Sequence, residues 1–543
     1  MILDYKDVSF SFKRKKVEKL KKRIKLIIFL TLLVISIILI KYFIENTEII
    51  SINNYLLDNK VNKAFDKINN SSLLFFKKEL YELRALANIY EKNLIKAKKI
   101  FKKILKSKIN HLKHINLMID RALYIELKIY LDFLSKNKIN VNTYYSIYYL
   151  SQFNKNKAKE YFKKSENKKI NLVLQEILKD LEDNNINYIF DINDKPIAYY
   201  DILKKKTEPI IKGFSFTEFN NEIKNGLKFF KLTIDSDIQN KVHKLFNKFN
   251  GNLIILKIPE NSIIASYSKT QGKPNSVFNL QYEPGSIIKV LSLFSYLSSD
   301  KKDLFPFKCK GLLTLNNKTF YDWMKHDLIK TPEQALAVSC NTAHALMGIR
   351  SGYKRYTEIL DKFYFNHEPI YDNFLRFDFG KFDGNKKDDF SLADLSVGLN
   401  IISTTTFHSA FISSIIAQSG LINTPYIIKN QKNILKIAFY NIKKKEISVF
   451  NKNPNYLKIK KAMEEVVYNK KGTGRRARVY FVKIAIKTGT AGDKKFGLDS
   501  IIMGFFPSDN PEYAFAFWLH GAGKAEFKGA YFLKDFLKEL YNR

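Results

Sequence analysis

Glu283-Pro284-Gly285-Ser286-Ile287-Ile288-Lys289 places a serine three residues ahead of a lysine, directly behind a Pro-Gly pair. That pair predicts a turn feeding a helix start, with Ser286 in the first helical turn and Lys289 one turn on, on the same face. A hydroxyl is a poor nucleophile until a neighbouring base removes its proton, and a lysine becomes such a base when desolvation or a second cation strips its charge. The flank Ile287, Ile288, Val290 and Leu291 is apolar enough to desolvate Lys289. The helix N-terminus also favours negative charge on the serine oxygen.

Alone, the pairing carries little, because it recurs at Ser135/Lys138, Ser165/Lys168 and Ser298/Lys301 in this lysine-rich chain. Two further short motifs follow it in order, Val338-Ser339-Cys340-Asn341 and Ile486-Lys487-Thr488-Gly489-Thr490. Ser339 and Asn341 fit a second wall of a site, where a hydroxyl relays a proton and an amide holds the lysine and binds a substrate carbonyl. Lys487 is the second cation that would depress Lys289. Lys487 to Thr490 reads as an edge strand whose Gly489 leaves room for a peptide substrate alongside. Lys487, Thr488 and Thr490 would receive a substrate carboxylate, while the backbone N–H groups of Ser286 and Thr490 would form an oxyanion hole.

The ordered trio resembles the transpeptidase domain of penicillin-binding proteins, the Ser-x-x-Lys acyl-transferases. The resemblance extends over about residues 233 to 543, through Leu232 to Gln239, Gly251 to Lys257, Ile263 to Ser268, Trp323 to Asn341, Ser396 to Asn400, Gly472 to Arg476 and Gly504 to Pro511. It implies an α/β fold with a central antiparallel sheet between helices, Ser286 as nucleophile, Lys289 as base, Ser339 and Asn341 as the second motif and Lys487 to Thr490 as the third. It further implies D,D-transpeptidation of peptidoglycan stem peptides through a Ser286 acyl-enzyme that β-lactams trap. The chain departs from the family's frequent pattern in keeping one glycine, Gly398, where two are often found. A β-lactamase or a carboxypeptidase would use the same acylation chemistry, and a non-catalytic cell-wall scaffold is the alternative of another class. A penicillin sensor would need a signalling domain that a cytoplasmic tail of about 23 residues is too short to hold.

The 543 residues carry 92 Lys+Arg against 53 Asp+Glu, a net charge of +39, with 45% hydrophobic residues. Such a chain folds, and it is long enough for several domains. The lysines spread along the whole chain instead of clustering, so no nucleic-acid partner is expected. Residues 24 to 44 are apolar enough to cross a bilayer, if Lys25 and Lys41 snorkel outward. Eight basic residues from Lys13 to Arg23 precede the span, and Glu45 and Glu48 follow it. The expectation is a retained single-pass anchor in the cytoplasmic membrane, with residues 1 to 23 inside and the rest outside, in a periplasmic or other extracytoplasmic space.

Residues 45 to 183 are poor in Gly and Pro and carry apolar residues at helical spacing. Tyr55, Ala64 and Ile68 share the spacing of Tyr149, Ala158 and Phe162, and Ala97 with Phe101 matches the last two positions. This resembles a degenerate tetratricopeptide array, with an ordinary helical bundle as the equal alternative; either offers a surface for protein partners. His111 and His114 are expected on that surface. Residues 184 to 232 read as strands of a reduced pedestal, and residues 233 to 543 as the catalytic domain. No cofactor is expected, nor a metal, since Cys309 and Cys340 lack paired spacing; both should be free thiols.

Overall fold

The computed structural model describes residues 5 to 543 except 59, 103–110, 121–122, 153, 168–169, 173, 176–177, 179–185, 203, 225–228, 271–272, 302, 386–387, 433–445, 449–452 and 494–496. The chain divides into two units, Met1–Leu178 and Lys179–Arg543.

The first unit opens with one uninterrupted helix, Tyr5–Leu57. Its stretch from Ile24 to Ile44 exposes apolar side chains on every side, with Ile27 at 63% and Phe43 at 65%. A helix apolar all round belongs in lipid or a core, and the part from Arg23 on is long and apolar enough to cross a membrane. Past Ile44 burial becomes one-sided, through Glu45, Ile49, Ile52 and Leu56. That face packs on the helices Val61–Asn70 and Lys77–Tyr90.

Helix pairs then follow, Lys77–Tyr90 with Leu94–Phe101 and Asn142–Ser151 with Lys155–Lys163, separated by His111–Asp120 and Tyr124–Lys136. Ala64, Ala97 and Ala158 are all fully buried, each on a short helix where a larger side chain would hold the neighbour away. Asn93 and Asn154 cap two of these helices, each side chain accepting the N–H three residues on, from Lys96 and Lys157. The expectation of surface histidines is corrected here. His114 is fully buried, with Nδ1 3.0 Å from Tyr90 Oη and Nε2 2.7 Å from Asn53 Oδ1. Burial pushes its pKa down to about 3, so it is neutral. His111 lies 2.8 Å from Tyr130 Oη, which donates to the buried Glu82 carboxylate at 2.7 Å. Helical spacing put both imidazoles on one face, and that face meets polar partners inside the unit.

In the second unit, Ile186–Phe190 pairs antiparallel with Pro196–Asp201 and parallel with Phe229–Leu232. The same sheet takes in Lys206–Pro209 and, from far along the chain, Ile428–Lys432. A second five-stranded antiparallel sheet runs Ala485–Asp493, Gly497–Phe506, Tyr513–His520, Asn250–Lys257, Ser262–Lys269 in spatial order. Its inner strands bury consecutive residues, Leu253 to Leu256 and Ala514 to Leu519, so both faces are covered. The wholly buried helix Thr406–Ala417 packs across Gly497–Phe506, Tyr513–His520 and Asn250–Lys257. Ser236–Phe246 and Lys528–Leu540 pack on each other and on strands of this sheet. The Ala485–Asp493 strand stands at the sheet's edge, with one neighbour in the sheet.

Candidate active site

Gly285–Ile288 forms a single 3-10 turn that runs directly into the buried helix Lys289–Leu297. Three glycines make room for that turn. Gly285 has φ +54 and donates its N–H to Gly398 O at 2.9 Å; a Cβ on it would stand 2.7 Å from Thr490 O. Gly398 has φ +85, and a Cβ there would come 2.1 Å from Gly285 O. Gly489 faces Pro284 O, 2.9 Å from where its Cβ would be. The edge strand and the Gly398 turn thus press backbone against the backbone carrying Ser286. Gly398→Ala is expected to displace that turn and slow acylation of Ser286 by about a hundredfold in protein that still folds, read as the labelling rate by a fluorescent penicillin.

The helix Asn341–Ser351 begins at the second motif, after a bend at Ser339, whose φ is +56. A left-handed serine is uncommon, and the bend brings Ser339 Oγ to both lysines. Lys289 Nζ donates to Ser339 O at 2.7 Å, to Ser339 Oγ at 3.2 Å and to Asn341 Oδ1. Lys487 Nζ donates to the same Ser339 Oγ at 2.9 Å and to Thr488 O at 2.7 Å. With both lone pairs engaged, the Ser339 hydroxyl keeps its own hydrogen to give elsewhere.

Both lysines are fully buried. Burial lowers the pKa of Lys289 to about 8, against the nearby negative charge of Asp322, which raises it. Lys487 is held well below the ordinary lysine value by burial and then by the charge of Lys289.

The cleft is about 240 Å³ and is lined by Ser286, Ser339, Asn341, Thr488 and Thr490 together with Trp323 and Thr473. All eight residues singled out by the three motifs therefore meet in one place: five line the cleft, Lys289 and Lys487 lie buried at Ser339, and Gly489 packs under the Ser286 turn. Thr473 Oγ1 bonds Thr488 Oγ1 at 2.6 Å, and Trp323 Nε1 donates to Ser339 O at 3.2 Å. Arg475 and Arg476 both engage Glu526, a cleft residue, at 3.4 and 2.8 Å.

Sequence reasoning missed Asp322. Its side chain is fully buried and holds the second motif by its start, accepting N–H groups from Asn341 at 3.0 Å and Thr342 at 3.1 Å and the Cys340 thiol at 3.0 Å. Burial opposes its charge, but the facing His326 ring, the charge of Lys289 and hydrogen bonds from Cys340 and Asn341 outweigh it, leaving the carboxyl well below the usual range. A lone aspartate before Trp323 gave no signal of this. Cys309 and Cys340 are free, buried thiols, as expected. Burial, then the Asp322 charge, pushes the Cys340 thiol up, which removes the nucleophilic form. Cys309, Asp322 and Cys340 have ligand atoms within 4.8 Å of one another, and buried His326 Nε2 lies 3.6 Å from Asp322 Oδ1. Those two thiols and the carboxylate are the group on this wall that would hold a metal ion if both thiols were ionised, whereas here Cys340 keeps its proton and donates it to Asp322.

Residues 253–540, more than half of the chain, match the family model for the penicillin binding protein transpeptidase domain. The chain belongs to that family. The chain is 25% identical over 272 residues to the peptidoglycan D,D-transpeptidase MrdA of Acinetobacter baumannii, a match covering 44% of this chain and 40% of that protein's length. Its fold is that of the D,D-transpeptidase domain of a peptidoglycan glycosyltransferase from Eggerthella lenta (TM-score 0.58, 18% identity, 66% of this chain and 98% of that one). It is also that of penicillin-binding protein A from Mycobacterium tuberculosis, solved as a ceftriaxone acyl-enzyme complex (TM-score 0.57, 16% identity, 66% and 99%).

Proposed function

We propose that the chain is a membrane-anchored peptidoglycan D,D-transpeptidase that cross-links stem peptides through an acyl-enzyme on Ser286. The observation that carries this reading is one hydroxyl, Ser339 Oγ, shared by two buried lysines in the wall of a cleft that Ser286 lines. The match to a D,D-transpeptidase of Acinetobacter baumannii supports the same chemistry.

Ser286 Oγ attacks the carbonyl of the penultimate D-Ala, and its proton passes to Lys289. A protonated Lys289 has three N–H donors, and its three hydrogen bonds to Ser339 and Asn341 use them all. Loss of one proton frees a lone pair, and this neutral form is the base. The backbone N–H groups of Ser286 and Thr490 stabilise the oxyanion; the tight approach of Gly285 to Thr490 supports their convergence. As the C–N bond breaks, the Ser339 hydroxyl relays a proton to the leaving D-Ala nitrogen and is reprotonated from the lysine pair. An amine of a neighbouring stem then attacks the ester, its proton returns by the same route, and Ser286 is released. Thr488 and Thr490 in the cleft wall hold the terminal carboxylate, with Lys487 behind them at Ser339, and the edge strand Ala485–Asp493 receives the extended peptide.

The sign of the pH dependence follows from the base. The active form of Lys289 is the deprotonated one, which grows about tenfold per pH unit until its pKa is reached. Acylation is expected to rise with pH up to about 8 and level off above it, measured as the second-order rate of penicillin labelling.

The positive residues before the span and Glu45 and Glu48 after it support a cytoplasmic N-terminus and an extracytoplasmic catalytic domain. The helical unit offers a docking surface for protein partners. The reading is tested with a pentapeptide donor and an acceptor amine, assayed by mass spectrometry for released D-Ala and the joined product. Joined product supports transpeptidation, release of D-Ala with hydrolysed donor alone would replace it with carboxypeptidation, and no D-Ala release would remove the assignment.

A further inference from the structure

Between the helices Val61–Asn70 and Lys77–Tyr90 runs the segment Ser71-Ser72-Leu73-Leu74-Phe75-Phe76. Four consecutive apolar residues in a loop ask for a partner, and only part of this one finds it in the protein. Phe76 is buried, 5.0 Å ring to ring from Tyr42 on the long helix, but Leu74 is 66% and Phe75 42% exposed. The loop is held to that helix by its backbone. Glu45 accepts the N–H groups of Leu74 at 2.9 Å and Phe75 at 2.7 Å, and Ser71 Oγ bonds Glu48. The Phe75 ring lies 5.9 Å from Tyr42.

Tyr42, Phe43 and Ile44 close the apolar span, so a loop clamped to Tyr42 and Glu45 sits at the depth where the span leaves the hydrocarbon. That zone favours aromatic rings and leucines with cations at their edge. Cations are present: a cavity of about 380 Å³ beside the loop is lined by Lys41, Lys77 and Arg84 together with Ser71 and Ser72. Three positive groups and the Ser72 hydroxyl at the headgroup level match a phosphodiester, and such cations attract anionic lipid.

We propose that residues 71–76 seat in the membrane beside the anchor, with Leu74 and Phe75 at the headgroup–acyl boundary and the phosphate of an anionic phospholipid in the Lys41, Lys77 and Arg84 cavity. This rests on the anchor reading above. A second, peripheral attachment fixes the rotation of the first unit about its span, which a single helix leaves free.

The test uses the full-length protein in vesicles of phosphatidylcholine with about 30% phosphatidylglycerol. Nitroxide labels are placed one at a time at Leu74→Cys, at Ile35→Cys in the span and at Leu112→Cys, 56% exposed on the same unit. Collision with oxygen against a water-soluble nickel chelate reads depth. Leu74 is expected between the other two, with nickel access at least about threefold below that of Leu112. Leu74 equal to Leu112, with Ile35 protected, overturns the proposal and leaves the anchor standing; Ile35 equal to Leu112 overturns both. Dipolar broadening between Leu74 labels on separate copies would assign the face to self-association and also overturn it. For the phosphate site, retention of phosphatidylglycerol in native mass spectra is expected to drop about tenfold in Lys77→Glu/Arg84→Glu. Equal retention in variant and wild type contradicts that half.

Discussion

Ser286→Ala is expected to abolish covalent labelling by penicillin and to lower stem-peptide turnover by at least about 10⁴-fold, while the thermal midpoint stays near that of the wild type. The size follows from what the substitution removes. Among the described residues, no other cleft hydroxyl combines the first-turn position with a lysine one turn on: Ser339 Oγ already accepts from Lys289 and Lys487, Thr488 Oγ1 is tied to Thr473, and Thr490 Oγ1 accepts from Ala525 N–H. Residual rate then comes from binding and the oxyanion donors alone. Stability should scarcely move, because Ser286 is only partly buried and carries no structural cap or core contact comparable to its neighbours Ile287 and Ile288. Rapid transfer of penicillin to another residue in the variant would place the nucleophile elsewhere.

Asp322→Ala is expected to have the largest effect of a residue that touches no substrate. It leaves the N–H groups of Asn341 and Thr342 without their acceptor and removes the anion facing buried Lys289. Breaking one partner of a buried charged network costs about 3–5 kcal/mol, so thermal or urea unfolding should show a clear loss. A second readout separates positioning of the site from mere folding. Asp322 raises the Lys289 pKa, so in its absence that pKa falls and the rising limb of acylation moves below pH 8. Asp322→Asn keeps the shape and some acceptor capacity without the charge. It is expected to recover much of the stability while retaining the shifted limb. An unshifted limb in both variants would show that Asp322 does not act on Lys289.

Much of the catalytic half was legible because its chemistry is local. A Pro-Gly pair ahead of Ser286 could only be a turn, and the 3-10 turn into Lys289–Leu297 is what stands there. Lys487 to Thr490 on an edge strand followed from the glycine and the threonines, and the strand is an edge. What stayed hidden was set by distant partners. Asp322 looks like any loop aspartate until the chain returns with Asn341 and Thr342, and Gly398 shows its purpose only against Gly285 O. The recruitment of Ile428–Lys432 into the sheet of Phe229–Leu232 is likewise a tertiary fact with no local signature. In the helical unit, the burial of Ala64, Ala97 and Ala158 followed from their spacing, whereas His114 did not, because its partners Tyr90 and Asn53 are 24 and 61 residues away.

The most direct measurement is peptide mass mapping of the protein after reaction with a β-lactam. The account predicts a single stable adduct on the peptide holding Ser286, forming faster as pH rises to about 8. An adduct on any other residue, or an unmodified but folded protein at saturating drug, would contradict it.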